Sequence, residues 1–102
     1  MTESVATLTL QDSRLHLGGV VHFDNAEKVC ADGVKLLKQA GKSLVIDMQK
    51  LSSSNSLVVA ILVSWTRIAS SSQQNLHISH MPDKLRAIIS VSGLTAALPE
   101  LP

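Results

Sequence analysis

Aromatic residues and cysteine are scarce in this 102-residue chain, and both shortages exclude functions. With no tyrosine, one phenylalanine and one tryptophan, it lacks the stacking platforms that bind single-stranded nucleic acids. Nine Lys and Arg residues against eight Asp and Glu residues leave a net charge of +1, without the basic excess of nucleic-acid-binding domains. The single cysteine, Cys30, has no partner for an internal disulfide and is interpreted as a small buried hydrophobe. We therefore predict no nucleic-acid partner.

Long hydrophobic runs and targeting signals are also missing. The apolar run Leu57–Val63 is far shorter than the roughly 20 residues that a transmembrane helix needs. The opening MTESVATLTL has neither the basic start nor the apolar segment of a secretory signal. These features predict a cytoplasmic protein. The length predicts one domain, residues 1–102.

Patterns of alternating strands and helices are present instead. VATLTL (5–10) and RLHLGGVV (14–21) alternate along the chain and predict an antiparallel hairpin. SLVIDM (43–48) is continuously apolar in its middle and predicts a central strand covered on both faces. NLHIS (75–79) predicts a fourth strand.

Three helices are predicted between and after these strands. Asp24 or Asn25 is placed to cap the first helix, whose core-facing positions include Gly33. The second helix is expected from about Ser56 to Ser70, and the third follows Pro82. The order β-β-α-β-α-β-α predicts an α/β domain with a mixed four-stranded sheet and helices packed on it.

The serine-rich turn LSSSNS (51–56) directly precedes the apolar run. Ser54 or Asn55 is placed to cap the second helix, which is the simplest explanation. A catalytic serine needs a base and a group that orients it, and neither a G-x-S-x-G elbow nor an S-x-x-K motif is present. We predict no catalytic residue and no enzymatic activity. Without an H-x-x-x-H pair, a second cysteine or a G-x-x-x-x-G-K loop, we predict neither a metal nor a cofactor.

The second helix is apolar around its whole circumference in its first two turns, Leu57–Val63. A helix of this kind is either enclosed on all sides by its own domain or shares one face with another protein. Both alternatives stay open from the sequence, with partner docking favoured.

Two segments resemble the signatures of STAS domains, the family of sulfate transporters and anti-sigma factor antagonists. GVVHFDNAEKV (Gly19–Val29) resembles the first pattern, G-E-L-D-x-x-N-A-E. LVIDMQKLSSSNSLVVAIL (Leu44–Leu62) resembles the second, hydrophobic-D-L-S-x-V-x-x-I-D-S-S-G-L. The resemblance covers essentially the whole chain and implies a STAS-like fold. Asn55 stands at the signature aspartate, Ser56 at the phosphorylatable serine or threonine, and Val58 at the following glycine.

Within this family the short, near-neutral chain is similar to the cytosolic STAS subunit of the Mla phospholipid ABC transporter, which maintains outer-membrane lipid asymmetry. This resemblance implies a non-enzymatic module that docks on and supports the cytosolic ATPase subunit, and that associates peripherally with the inner membrane through it. The expected contact residues are Asn55, Ser56, Leu57, Val59, His22, Asp24 and Asn25. The alternative is an anti-sigma factor antagonist regulated by phosphorylation of Ser56. A homodimer is left open.

Overall fold

The computed structural model describes residues 5–101, and its chain begins with a hairpin. Strands β1 (Ala6–Gln11) and β2 (Arg14–Gly19) pair antiparallel. The turn between them places Asp12 at φ 50° and Ser13 at φ 65°. Two consecutive residues with positive φ match the right-handed twist of a hairpin, so the predicted hairpin is confirmed.

The remaining strands and helices alternate, as the sequence predicted. They are α1 (Ala26–Gln39), β3 (Ser43–Asp47), α2 (Ser56–Ser71), β4 (Asn75–Ser79), α3 (Asp83–Val91) and a short 3-10 turn at Thr95–Ala97. The sheet has the order β1-β2-β3-β4, with β2, β3 and β4 mutually parallel. This is the predicted α/β arrangement with a mixed four-stranded sheet.

One face of the sheet carries the core. Its buried side chains are Leu15, Leu17, Leu44, Ile46, Leu76 and Ile78. The other face exposes Thr7, Thr9 and His77. The prediction that the third strand is covered on both faces is wrong, because Ser43 is exposed and Val45 is only half-buried.

Helix α2 is enclosed mainly by its own domain, since it packs against α1, α3 and β4. Its buried residues are Val58, Val59, Ile61, Leu62, Trp65 and Ala69. Only Ser56 and Ala60 are exposed in its first two turns, while Leu57 and Val63 are half-buried. Internal burial therefore accounts for most of this apolar helix. The favoured expectation, that one face of this helix meets a partner, is limited to a narrow strip that includes Ser56, Leu57, Ala60 and Val63.

Gly33 of α1 packs directly against Trp65 of α2. A Cβ atom on this residue would lie 2.1 Å from Cζ2 of Trp65. Trp65 is fully buried, and its indole N–H donates a 3.0 Å hydrogen bond to the carbonyl of Cys30. Gly33 thus provides the space in which the largest side chain of the core is seated.

Candidate functional site

The predicted site residues lie where β2 ends and where α1 and α2 begin. Two loops meet there, the β2–α1 loop and the β3–α2 loop. Gly19 fixes their junction at φ 78°, where a Cβ would lie 2.0 Å from the carbonyl oxygen of Val5. Its N–H donates to the carbonyl of Lys50 (3.0 Å), and its own carbonyl accepts from the N–H of Ser52 (2.7 Å). Only glycine satisfies this close approach and this backbone conformation.

The peptide backbone of Val21 ties the two loops together. Its N–H donates to Oγ of Ser53 at 2.9 Å, and its carbonyl accepts from Nδ2 of Asn55 at 2.9 Å. The Val21 side chain is fully buried. Because the β3–α2 loop satisfies both backbone groups, the two loops form one continuous, preorganised surface.

Asn55 uses both halves of its side-chain amide. Its Oδ1 accepts from the N–H of Val58 at 3.1 Å and caps α2, as predicted. Its Nδ2 is the donor to Val21. An aspartate, the residue of the family signature, accepts hydrogen bonds but donates none when ionised. Asparagine in place of the signature aspartate therefore gains one hydrogen bond, to the Val21 carbonyl, that an ionised aspartate cannot make.

Restoring the signature aspartate is expected to destabilise the protein. In Asn55→Asp the carboxylate keeps the helix cap and gains from the helix dipole. It loses the donor to Val21 and sets a negative oxygen against that carbonyl, for a net loss of about 1 kcal/mol in the free energy of unfolding. Urea unfolding measures the loss, with Asn55→Ala as the reference for removing both bonds. An Asp variant as stable as wild type would contradict this reading of the cap.

Asn25 closes the β2–α1 loop instead of capping α1 with its side chain. It occupies the N-cap position, but no side-chain cap bond forms there. Its Oδ1 accepts from the N–H of His22, and its Nδ2 donates to the carbonyl of Val20, both at 2.9 Å. The N–H of Asp24 donates to Nδ1 of His22 at 3.2 Å. Asn25 is thus the N-cap residue, as predicted, but its side chain makes no capping hydrogen bond because the loop uses both halves of its amide.

The structure brings most of the predicted contact residues together but separates one from the surface. Ser56 and Asp24 are exposed at the starts of the two helices, and Leu57 is half-buried. Val59 is only 6% exposed and belongs to the hydrophobic core. Its side chain has almost no surface to offer a partner.

Phe23 was not among the contact residues expected from the sequence. It is the only phenylalanine in the chain, and 87% of its surface is exposed. It lies in the β2–α1 loop two residues after Val21, whose backbone is held by the β3–α2 loop. The sequence did carry a signal for its exposure, because this aromatic residue stands between the polar His22 and Asp24 in a segment predicted to be a loop.

Asp47, at the end of the central strand, belongs to a separate cluster. It is 6% exposed. Its carboxylate accepts from Nη1 of Arg14 (2.8 Å) and from the N–H of Gln49 (2.9 Å), and it lies 3.2 Å from Nδ1 of His80. Burial raises the pKa of Asp47, but the Gln49 N–H, Arg14 and His80 together outweigh it and hold the pKa below its usual value. Within residues 5–101, no group of three or more His, Cys, Asp or Glu is placed to hold a metal ion.

Solved structures with the same sheet and helix arrangement define the class of the fold. An anti-sigma factor antagonist from Mycobacterium paratuberculosis is similar over 98% of this chain and 86% of its own, with a TM-score of 0.73 and 15% identity. The Bacillus cell fate determinant SpoIIAA in its phosphorylated form is similar over 96% and 92%, with a TM-score of 0.68 and 15% identity. At these identities the likeness shows an anti-sigma factor antagonist fold and nothing further.

The family model described as Mlab, STAS domain matches residues 5–100, so the chain belongs to this STAS family. A chain of the Acinetobacter MlaFEDB complex in its ATP-bound Vtrans2 conformation is 28% identical, with a TM-score of 0.81 over 93% of this chain and 99% of that one. No curated protein matches the sequence. None of the helices within residues 5–101 has the length and hydrophobicity to cross a bilayer.

Proposed function

We propose that this protein is a non-enzymatic STAS subunit that docks on, and supports, the cytosolic ATPase of a phospholipid-trafficking ABC transporter. The family match and the 28% identity along 99% of a chain in the ATP-bound MlaFEDB complex support this proposal. In this role the protein acts by binding and has no catalytic residue. It resides in the cytoplasm and reaches the inner membrane only through the transporter, where it contributes to outer-membrane lipid asymmetry.

The proposed docking surface consists of Phe23, Asp24, Ser56 and Leu57. The observation that carries it is the 87% exposed Phe23 on a loop in which both backbone groups of Val21 are hydrogen-bonded to the β3–α2 loop. Aromatic side chains surrounded by polar groups are typical anchors of protein interfaces. A surface that is ordered before binding also loses less conformational entropy on association.

The remaining predicted contact residues have indirect roles in this proposal. Asn25, Asn55 and His22 take part in the hydrogen bonds that shape the two loops. Substituting them is expected to weaken partner binding by altering the shape of the two loops, not by removing a direct contact with the partner. Val59 is not part of the proposed surface, because the core covers it.

Phe23→Ala is expected to weaken binding to the ATPase subunit of the cognate transporter by about tenfold or more. Val91→Ala is the matched control, because Val91 is 90% exposed but lies at the end of α3. Isothermal titration with the purified ATPase subunit measures both affinities. Ser56→Asp, which adds a charge to the same surface, is expected to weaken binding as strongly. Equal affinities of the Phe23 and Val91 variants would contradict the proposed surface.

The exposed hydroxyl of Ser56 favours one further candidate function, that of an anti-sigma factor antagonist switched by phosphorylation. Ser56 is the first residue of α2, and helix N-termini accommodate phosphate groups. The test is the intact mass after incubation with ATP and cell lysate, with Ser56→Ala as the control. A phosphate on wild type alone, together with capture of a kinase in place of the ATPase, would favour this second function. Unmodified protein that binds the ATPase supports the first.

A further inference from the structure

The two edges of the sheet differ in whether another segment of the chain is hydrogen-bonded to them. At the β4 edge, the N–H of Ile78 donates to the carbonyl of Pro99 at 2.8 Å, and the carbonyl of Ile78 accepts from the N–H of Leu101 at 2.7 Å. Arg86 of α3 holds this tail through the carboxylate of Glu100. At the β1 edge, no segment among residues 5–101 pairs with the outer side of the strand. One edge is therefore covered and the other is open.

The open edge presents the backbone groups of alternate residues. Ala6 lies opposite Gly19, and the N–H and carbonyl of Gly19 bond to the β3–α2 loop, not to β1. Ala6 is thus in a non-hydrogen-bonded pair, and the antiparallel alternation turns the N–H and carbonyl groups of Ala6, Leu8 and Leu10 away from β2. The strand contains no proline and no charged residue, which are devices that protect natural sheet edges.

A groove of about 550 Å³ runs between this edge and helix α1. The apolar residues that line it are Val5, Ala6, Leu8, Val29 and Leu36. Lys28, Asp32 and Lys35 follow its rim along successive turns of the helix. Lys28 is paired with Asp32 at 2.7 Å, so Lys35 leaves the rim with a net positive charge.

We propose that the β1 edge and this groove bind an extended, acidic segment of a partner protein as a fifth strand. In a strand added to an open edge, backbone hydrogen bonds provide affinity while alternate side chains enter the adjoining groove. Apolar side chains of the segment contact Leu8 and Leu36, and its carboxylates reach Lys28 and Lys35. The groove also reaches His22 and Asn25 of the β2–α1 loop, so this site adjoins the docking surface of Phe23, Asp24, Ser56 and Leu57 but shares no residue with it.

The charge of the rim selects this occupant over a second copy of the chain. Pairing β1 with its own copy brings two net-positive α1 rims together, which is unfavourable. The sequence of β1, ATLTLQ, contributes no acid that offsets them. An acidic segment from another protein supplies both the strand and the missing negative charge.

The probe is an acetylated and amidated seven-residue peptide, Glu-Thr-Val-Thr-Val-Thr-Glu, which places valines and glutamates on one face. Binding is expected to slow hydrogen exchange of the outward amides of Ala6, Leu8 and Leu10 by about tenfold. The amides of Thr7 and Thr9, which already face β2, are expected to change little. A peptide with lysines in place of the glutamates, and one with the valines adjacent to each other, are the matched controls and are expected to bind weakly.

Two variants of the full chain complete the test. Lys35→Glu is expected to lower the peptide affinity about fivefold. Lys38→Glu makes the same charge change on the same helix outside the groove and is expected to leave affinity unchanged. Equal binding of the lysine peptide would overturn the proposal, and so would self-association that protects Ala6, Leu8 and Leu10 without peptide. Dodecanoate, a fatty acid, tests whether the groove binds an apolar small molecule instead. The proposal is also overturned if dodecanoate shifts the amide resonances of the groove residues while the acidic peptide does not.

Discussion

Gly33→Ala is expected to lower the free energy of unfolding by about 3 kcal/mol. On helix propensity alone, alanine in place of glycine stabilises a helix by about 1 kcal/mol. The structure reverses this sign, because the new methyl group would lie 2.1 Å from Cζ2 and 2.6 Å from Nε1 of Trp65. The indole is fully buried and hydrogen-bonded to Cys30, so the ring moves only by disturbing the packing of α1 against α2.

Urea unfolding followed by far-UV circular dichroism measures this loss in every variant, including the one below that lacks the single tryptophan of the chain. Gly41→Ala is the matched control, because a Cβ there meets no atom within 4 Å, and we expect a change of less than about 0.5 kcal/mol. In the double variant Gly33→Ala/Trp65→Phe, the smaller ring leaves room for the methyl group. The two changes are then expected to be non-additive, with a coupling of about 1 kcal/mol or more. A stabilised Gly33→Ala variant would show that Trp65 is not held at this position.

Asp47→Ala is the second variant with a large expected effect, a loss of about 2–3 kcal/mol at pH 7. It removes the acceptor of Arg14 and of the Gln49 N–H and leaves a cavity at a position that is 6% exposed. Asp47→Asn retains an acceptor and the shape, and is expected to lose about half as much. Asp24→Asn, at an exposed position, is the control with little expected change.

The contribution of Asp47 is expected to depend on pH with a defined sign. Its pKa in the folded protein is lowered, whereas the carboxyl of the unfolded chain titrates near about 4. The stabilisation is therefore fully present above the unfolded value and is lost as the pH falls through the folded value. Chemical unfolding at pH 7, 5 and 3.5 should show the wild-type and Asp47→Ala curves converging toward acid. A difference that stays constant with pH would contradict this role.

The order of strands and helices was predictable because local rules decide it. The alternation in 5–10 and 14–21, and the apolar middle of 43–48, match strands that the structure contains. Gly93 follows the C-cap of α3 at φ 73°, a conformation in which glycine is favoured just past a helix end. The covering of β3 was not predictable, because a short apolar strand does not reveal whether helices lie on one face of the sheet or on both.

The candidate site was predictable in part for the same reason. Asn55 and Ser56 were placed at the start of α2, since capping is a local property and the family signature marks the position. The burial of Val59 and the exposure of Phe23 were not predictable. Both depend on how α1, α2 and the two loops pack, and each of these residues has the same apolar character in the sequence.

By itself, the sequence determined the class of fold and the order of its strands and helices, because periodicity and short motifs are local. Only the tertiary structure decided the bonding of Asn55 to Val21, the seat of Trp65 on Gly33 and the difference between the two sheet edges. These features join residues more than 30 positions apart, or leave a strand edge unpaired. Such relations arise from packing, which no short stretch of sequence encodes.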